Sequence, residues 1–124
     1  METMTQKEKD LLLKDLCARL PYGVWIERKL KSCKFGAKCM VKAHDINAIE
    51  RGRCDFYKPY LFPLSSMTEE QYDEMEDIIH TICHSGYAHH FAHQLTDWYN
   101  KNHFDYRGLI KDGLAIDATG KNIY

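Results

Sequence analysis

Apolar side chains recur at helical spacing in three stretches of the chain, and a shorter period separates the first from the other two. Leu12, Leu13, Leu16, Cys17 and Leu20 fall on one stripe with Lys7, Asp10 and Lys14 opposite, which predicts an amphipathic helix. Thr5 with Glu8 three residues on supplies a capping-box start, and Pro21-Tyr22-Gly23 supplies the stop. Residues 24–30 and 38–43 then read as strands with Gly36 in the turn between them, and a third strand is expected over 54–60. Residues 45–50 read either as loop or as a short helical turn. Helical spacing returns with Tyr72, Met75, Ile78, Ile79 and Ile82, which ends near Ser85-Gly86. Ala88, Phe91, Ala92, Leu95, Trp98 and Tyr99 form the next stripe, and both stripes are expected to face the core. The tail over 104–116 places Gly108 and Gly113 among Leu109, Ile110, Leu114 and Ile116, a pattern of short turns or an edge strand.

The segment KPYLFPLSSMTEE, residues 58–70, divides the sheet-like half from the helical half. Pro59 and Pro63 lack a backbone N–H and push the residues before them into extended conformations. Ser66 with Glu69, and Thr68 with Gln71, each have capping-box spacing, so two competing helix starts are written there. These elements predict one α+β domain over residues 1–124. Its parts are an N-terminal helix, a small antiparallel sheet, two amphipathic helices and a folded C-terminal tail.

The 124 residues suffice for a single core. Seventeen basic and eighteen acidic residues leave a net charge of −1, which argues against a general electrostatic grip on nucleic acid or on an anionic membrane. The same near-neutrality is compatible with self-association into a homo-oligomer. No apolar run approaches the roughly 20 residues needed to cross a bilayer, and METMTQKEKD carries no signal-peptide apolar region. Five cysteines are an odd number, too sparse for a disulfide scaffold, so a reducing, cytoplasmic setting is expected.

Three constellations bear on chemistry. Cys33-Lys34-Phe35-Gly36-Ala37-Lys38-Cys39 followed by His44 resembles the second half of a CCCH zinc finger, an RNA-binding module. The first cysteine of such a finger would stand about eight residues before Cys33, where Val24 and Trp25 are found. A Cys33/Cys39/His44/Cys54 zinc set is therefore the alternative, and an ordinary hairpin with packed thiols is preferred. His80/His84 and His89/His93 are each spaced i,i+4, able to share a divalent ion. Both pairs are expected on the solvent side, together with His90 and Asp97. Cys83 lies between His80 and His84, but no third group is placed to orient an imidazole, and a packed thiol is expected. No phosphate loop, dinucleotide fingerprint, H-E-x-x-H or nucleophile elbow is present. No residue is therefore assigned a catalytic role, and a small cysteine–histidine enzyme is the least favoured of three readings.

His103-Phe104-Asp105-Tyr106-Arg107 mixes the residue types enriched at interface hot spots. The same pattern also fits a clamp in which Phe104 and Tyr106 hold the tail over the helix pair while Asp105 and Arg107 pair at the surface. The blocks DLCARLPYGV (15–24), KPYLFPLSSMTEEQ (58–71) and WYNKNHFDYRGLIKDGLAIDATGKNIY (98–124) resemble a family of small uncharacterised proteins of gut Bacteroidales and of the phages and mobile elements they carry. The resemblance implies a bacterial or phage cytosolic setting and an α+β domain, and carries no catalytic residue across. The expected function is a non-enzymatic interaction module with a protein partner. Trp98, Tyr99, Phe104, Tyr106 and Arg107 are its candidate contacts. A zinc-stabilised RNA-binding domain is the alternative.

Overall fold

The computed structural model describes residues 5–30, 36–84, 86 and 88–124. Helix α1 (Gln6–Arg19) starts as its sequence dictates: Glu8 N–H donates to Thr5 Oγ1 at 3.1 Å and Thr5 N–H to Glu8 Oε1 at 3.0 Å. It ends in a 3₁₀ turn at Leu20–Tyr22, and Gly23 takes φ +77°, a left-handed angle that turns the chain into the sheet. Strands β1 (Trp25–Leu30) and β2 (Ala37–Met40) follow, then helix α2 (Ala43–Glu50) and strand β3 (Cys54–Leu61). Helices α3 (Glu69–His84) and α4 (Ala88–Lys101) form a hairpin, and the two-residue strand β4 (Ile116–Asp117) closes the chain's path. The α+β class and the N-terminal helix stand as expected. Residues 45–50 belong to a helix.

The sheet has the order β2-β1-β3-β4. Its first three strands are antiparallel, with Ile26 opposite both Cys39 and Pro59. The fourth changes the picture, because β4 joins β3 in parallel, Tyr60 opposite Ile116 and Leu61 opposite Asp117. The sheet is thus mixed rather than purely antiparallel. The tail supplies the added edge, as its glycine-punctuated pattern allowed. A second parallel bridge, Phe62 with Phe104, lies beside it.

One face of the sheet carries the core. Leu12, Leu16, Val24, Ile26, Val41, Ile49, Leu61, Leu109 and Leu114 are buried together, so α1, α2 and the tail all press on that face. At about 25 cal/mol per Å² of apolar surface, each fully buried Leu or Ile contributes about 1.5–3 kcal/mol before entropy is charged. Asp45 fastens α2 to the sheet with two oxygens. Oδ2 accepts the Lys42 N–H at 2.9 Å, satisfying an orphan donor of the first turn, and Oδ1 meets Arg28 Nε at 3.0 Å.

The start of α3 resolves the competition between the two caps. Gln71 N–H donates to Thr68 Oγ1 at 3.1 Å and Thr68 N–H to Gln71 Oε1 at 2.9 Å, so the second box forms. Ser66 cannot serve, since its hydroxyl donates to the Pro63 carbonyl at 2.7 Å inside a 3₁₀ turn. No helix of the described residues is long and apolar enough to cross a membrane.

Candidate interaction surface

Helix α3 is unlike the other α-helices: none of its sixteen residues is buried. Among the described residues α4 is its one substantial neighbour, whereas α4 also meets α1. Met75, Ile78, Ile79 and Ile82 are half-buried against α4, and Tyr72, expected to face inward with them, is 52% exposed. The reason is geometric. A stripe in a two-helix hairpin is covered from one side only, and Tyr72 lies at its rim.

The opposite side of α3 is acidic over residues 69–77 and continues with His80, Thr81 and His84. Glu69, Glu70, Asp73, Glu74, Glu76 and Asp77 are all exposed. At 3.6 residues per turn they fall within an arc of about 160°. Between residues 69 and 101 stand seven acidic residues and one basic residue, net −6. The remainder of the chain has sixteen basic and eleven acidic residues, net +5. The near-zero total charge therefore conceals an acidic arm on a basic body, a signal that summing charge by segment would have exposed. Carboxylates in the first turn also favour the helix itself through its dipole.

The arm is held to the body by an aromatic and ionic knot, which contains all five residues proposed as partner contacts. Phe104 is 1% exposed, stacked on Trp98 with centroids 5.5 Å apart and 21° between planes. Tyr106 stacks on Tyr99 at 5.3 Å. Trp98 Nε1 donates to Glu74 Oε2 at 3.1 Å, and Tyr99 OH reaches Met75 Sδ at 3.3 Å, so both rings also brace α3. Arg107 Nε lies 3.2 Å from Asp15 Oδ1, and its Nη2 donates to Tyr106 OH at 2.9 Å. Phe104 is buried and the other four are half-buried. Their aromatic surface is used inside the molecule, in the clamp arrangement. Asp105 departs from that arrangement, because it accepts the Leu109 and Ile110 N–H groups at 2.8 and 2.9 Å rather than pairing with Arg107.

Beneath the knot lies a charged pair that the sequence did not advertise. Asp15 and Arg19 are both fully buried, Arg19 Nε donating to Asp15 Oδ2 at 2.8 Å and Arg19 Nη2 to the Phe104 carbonyl at 2.6 Å. Both guanidinium groups approach the Tyr106 ring, Arg19 at 5.4 Å and Arg107 at 4.8 Å from its centroid. The single Asp15 carboxylate thus serves two arginines. His103, at φ +62°, makes the left-handed reversal that follows α4. Its ring stacks on Tyr124 with centroids 3.6 Å apart. Burial, and secondarily the nearby Arg19 charge, lower its pKa to about 4, so the imidazole is neutral in neutral solution. Tyr124 OH donates to the Tyr60 carbonyl at 2.8 Å and accepts the Trp25 N–H at 2.9 Å; burial pushes its pKa up to about 12.

The zinc set does not assemble among the described residues. Cys33 lies outside them, and His44 is 72% exposed on α2 beside Asp45. Cys39 Sγ accepts from Arg28 Nε at 3.1 Å. Burial lowers the Arg28 pKa, but the Cys39 hydrogen bond and the influence of Cys39, Asp45 and Cys54 outweigh it and raise the net value. A guanidinium thus occupies the ground between the two thiols and Asp45. Among the described residues no three His, Cys, Asp or Glu side chains are grouped to hold a metal ion. His80 and His84 are exposed, with ring centroids 4.1 Å apart. His93 and Asp97 are exposed too, while the side chains of His89, His90 and Phe91 lie outside the description. Cys83 is exposed rather than packed, and the His80 and His84 rings lie against each other, tilted by 37°. None of the four described cysteines is in a disulfide.

In comparisons with known proteins, no family model, no curated protein and no solved structure matches the chain. The resemblance drawn from the three sequence blocks rests on those residues alone.

Proposed function

We propose that this protein is a non-enzymatic interaction module whose contacting element is α3, and that its partner is a protein with a basic surface. One observation carries the reading: a sixteen-residue helix with no fully buried residue projects an acidic face from its first nine residues and is braced from behind by the aromatic knot. A helix with that composition gains little from the fold that holds it, so its surface is available for recognition. Carboxylates on a preset face steer a basic partner and set its register, while the half-buried Met75 and Ile79 rim and the exposed Tyr72 supply apolar area next to them. The five knot residues have a different job in this scheme. They fix the direction in which the arm points. The family resemblance supports a bacterial or phage-borne cytosolic setting, and the unbridged cysteines agree with it.

The test is a binding titration of the intact protein with a lysine-rich amphipathic helical peptide. Wild type is compared with a variant carrying Glu69→Gln, Glu70→Gln, Asp73→Asn, Glu76→Gln and Asp77→Asn. Wild type binds, and binding falls steeply with salt because the Debye length shrinks from about 10 Å at 0.1 M to about 3 Å at 1 M. The amide variant keeps its helix content and loses the peptide. Equal binding by both proteins would reject α3 as the contact.

A further inference from the structure

The core occupies one face of the sheet, which leaves the other to be accounted for. Strand alternation puts Trp25, Glu27 and Lys29 of β1, Lys38 and Met40 of β2, and Phe56, Lys58 and Tyr60 of β3 on that second face. Lys38 is exposed, Tyr60 is buried and the other six are half-buried. None of these eight side chains belongs to the core cluster. The patch is aromatic and basic: Lys38 Nζ stands 5.2 Å from the Trp25 ring centroid, and Glu27 lies between Lys38 and Lys58, opposite both in the strand register.

We infer that this face receives α3 from a second copy of the chain, and the inference rests on the reading of α3 as the contacting helix. Charge and spacing both support it. Lys38 and Lys58 are two strand spacings apart, about 9.6 Å. On α3, Glu69 and Glu76 are seven residues apart, about 10.5 Å along the axis, with Tyr72 between them on the same stripe. A helix laid across the strands puts Glu69 and Glu76 on the two lysines. The Tyr72 ring then falls over Glu27, which stands between the two lysines and can accept from its hydroxyl. Because every copy owns both surfaces, a reciprocal pair closes with two such contacts and exposes neither. Single-stranded nucleic acid is the other occupant that lysine and aromatic rings on a sheet suggest. It fits less well: Lys38 Nζ stands over the Trp25 ring on which a base would stack, and the chain's net charge of −1 gives no general grip on a polyanion.

Charge exchange tests the inference. Sedimentation velocity on wild type at low salt shows a dimer that dissociates as salt is raised. The variant Lys38→Glu with Lys58→Glu, and separately the variant Glu69→Lys with Glu76→Lys, each self-associate at least tenfold more weakly while circular dichroism stays native. Mixed in equal amounts the two variants pair again, since each now supplies what the other lacks. A monomeric wild type at high concentration would overturn the inference, as would variants that dimerise normally or a mixture that stays monomeric. A labelled single-stranded RNA that binds monomeric wild type, and not the Lys38→Glu, Lys58→Glu variant, would overturn it in favour of the other occupant. Retained binding of the lysine-rich peptide by the sheet variant separates the two claims. In that case α3 remains a contacting helix although self-docking fails.

Discussion

Replacing Asp15 by asparagine keeps the size of the side chain and removes the one anion shared by Arg19 and Arg107. Arg107 is 17% exposed at its side chain and can turn toward water, but Arg19 is fully buried and cannot. Breaking a buried ion pair by removing one partner typically costs about 3–5 kcal/mol, because the surviving charge is left uncompensated in a medium that solvates it poorly. For a chain of this length each kcal/mol shifts Tm by about 3–5 °C, so Asp15→Asn lowers it by about 9–25 °C. The double replacement Asp15→Leu with Arg19→Met removes both charges. It leaves the Phe104 carbonyl without its Arg19 donor, a residual cost of about 1–3 kcal/mol. The double variant is therefore no less stable than Asp15→Asn despite losing more contacts, a non-additivity that a double-mutant cycle in urea measures directly. A loss below about 1 kcal/mol for Asp15→Asn, or strictly additive effects, would refute the claim that this pair is a coupled buried unit at the root of the arm.

His103 makes stability depend on pH. Its folded pKa of about 4 lies below the 6.5 of an unperturbed imidazole, so the unfolded chain binds a proton first and stability falls as pH drops from about 6.5 to about 4. The shift alone would give about 3.4 kcal/mol, and partial solvent access reduces this to about 1–2 kcal/mol. Urea titrations of wild type and His103→Asn, which tolerates the left-handed backbone, should differ in that window and run parallel above pH 7. Thr68→Ala should cost about 1 kcal/mol through loss of the α3 cap. Ser66→Ala should leave the α3 cap intact, and thermal denaturation of the two variants distinguishes the boxes. Tyr124→Phe should cost about 1–3 kcal/mol by removing the hydroxyl that links Trp25 of β1 to Tyr60 of β3, as chemical denaturation will report.

Local signals in the sequence translated well into elements. Thr5 and Glu8 made the cap their spacing implied, and the apolar periods located α1, α3 and α4, because those helices are specified by neighbours three and four residues away. What the sequence concealed was set by distant partners. Asp15 and Arg19 have the i,i+4 spacing of a surface ion pair, and their burial depends on Phe104, Tyr106 and Arg107, which arrive more than eighty residues later. β4 is two residues long and pairs in parallel across more than fifty intervening residues, so no local pattern could announce it. Ser66 had correct spacing and the wrong company, since the Pro63 carbonyl claims its hydroxyl. Periodicity alone points Tyr72 and Cys17 inward, yet both are exposed because a helix stripe is wider than the surface that covers it. The aromatic tail motif was legible as a cluster, but composition could not decide whether its rings faced outward or clamped α4.

The account turns on α3 being a recognition helix and not a passive flap. Hydrogen–deuterium exchange on the intact protein, with and without saturating lysine-rich peptide, addresses this residue by residue. Protection should rise across 69–84, with β3 and α1 unchanged. Exchange in α3 that stays the same while protection appears elsewhere on the molecule would contradict it.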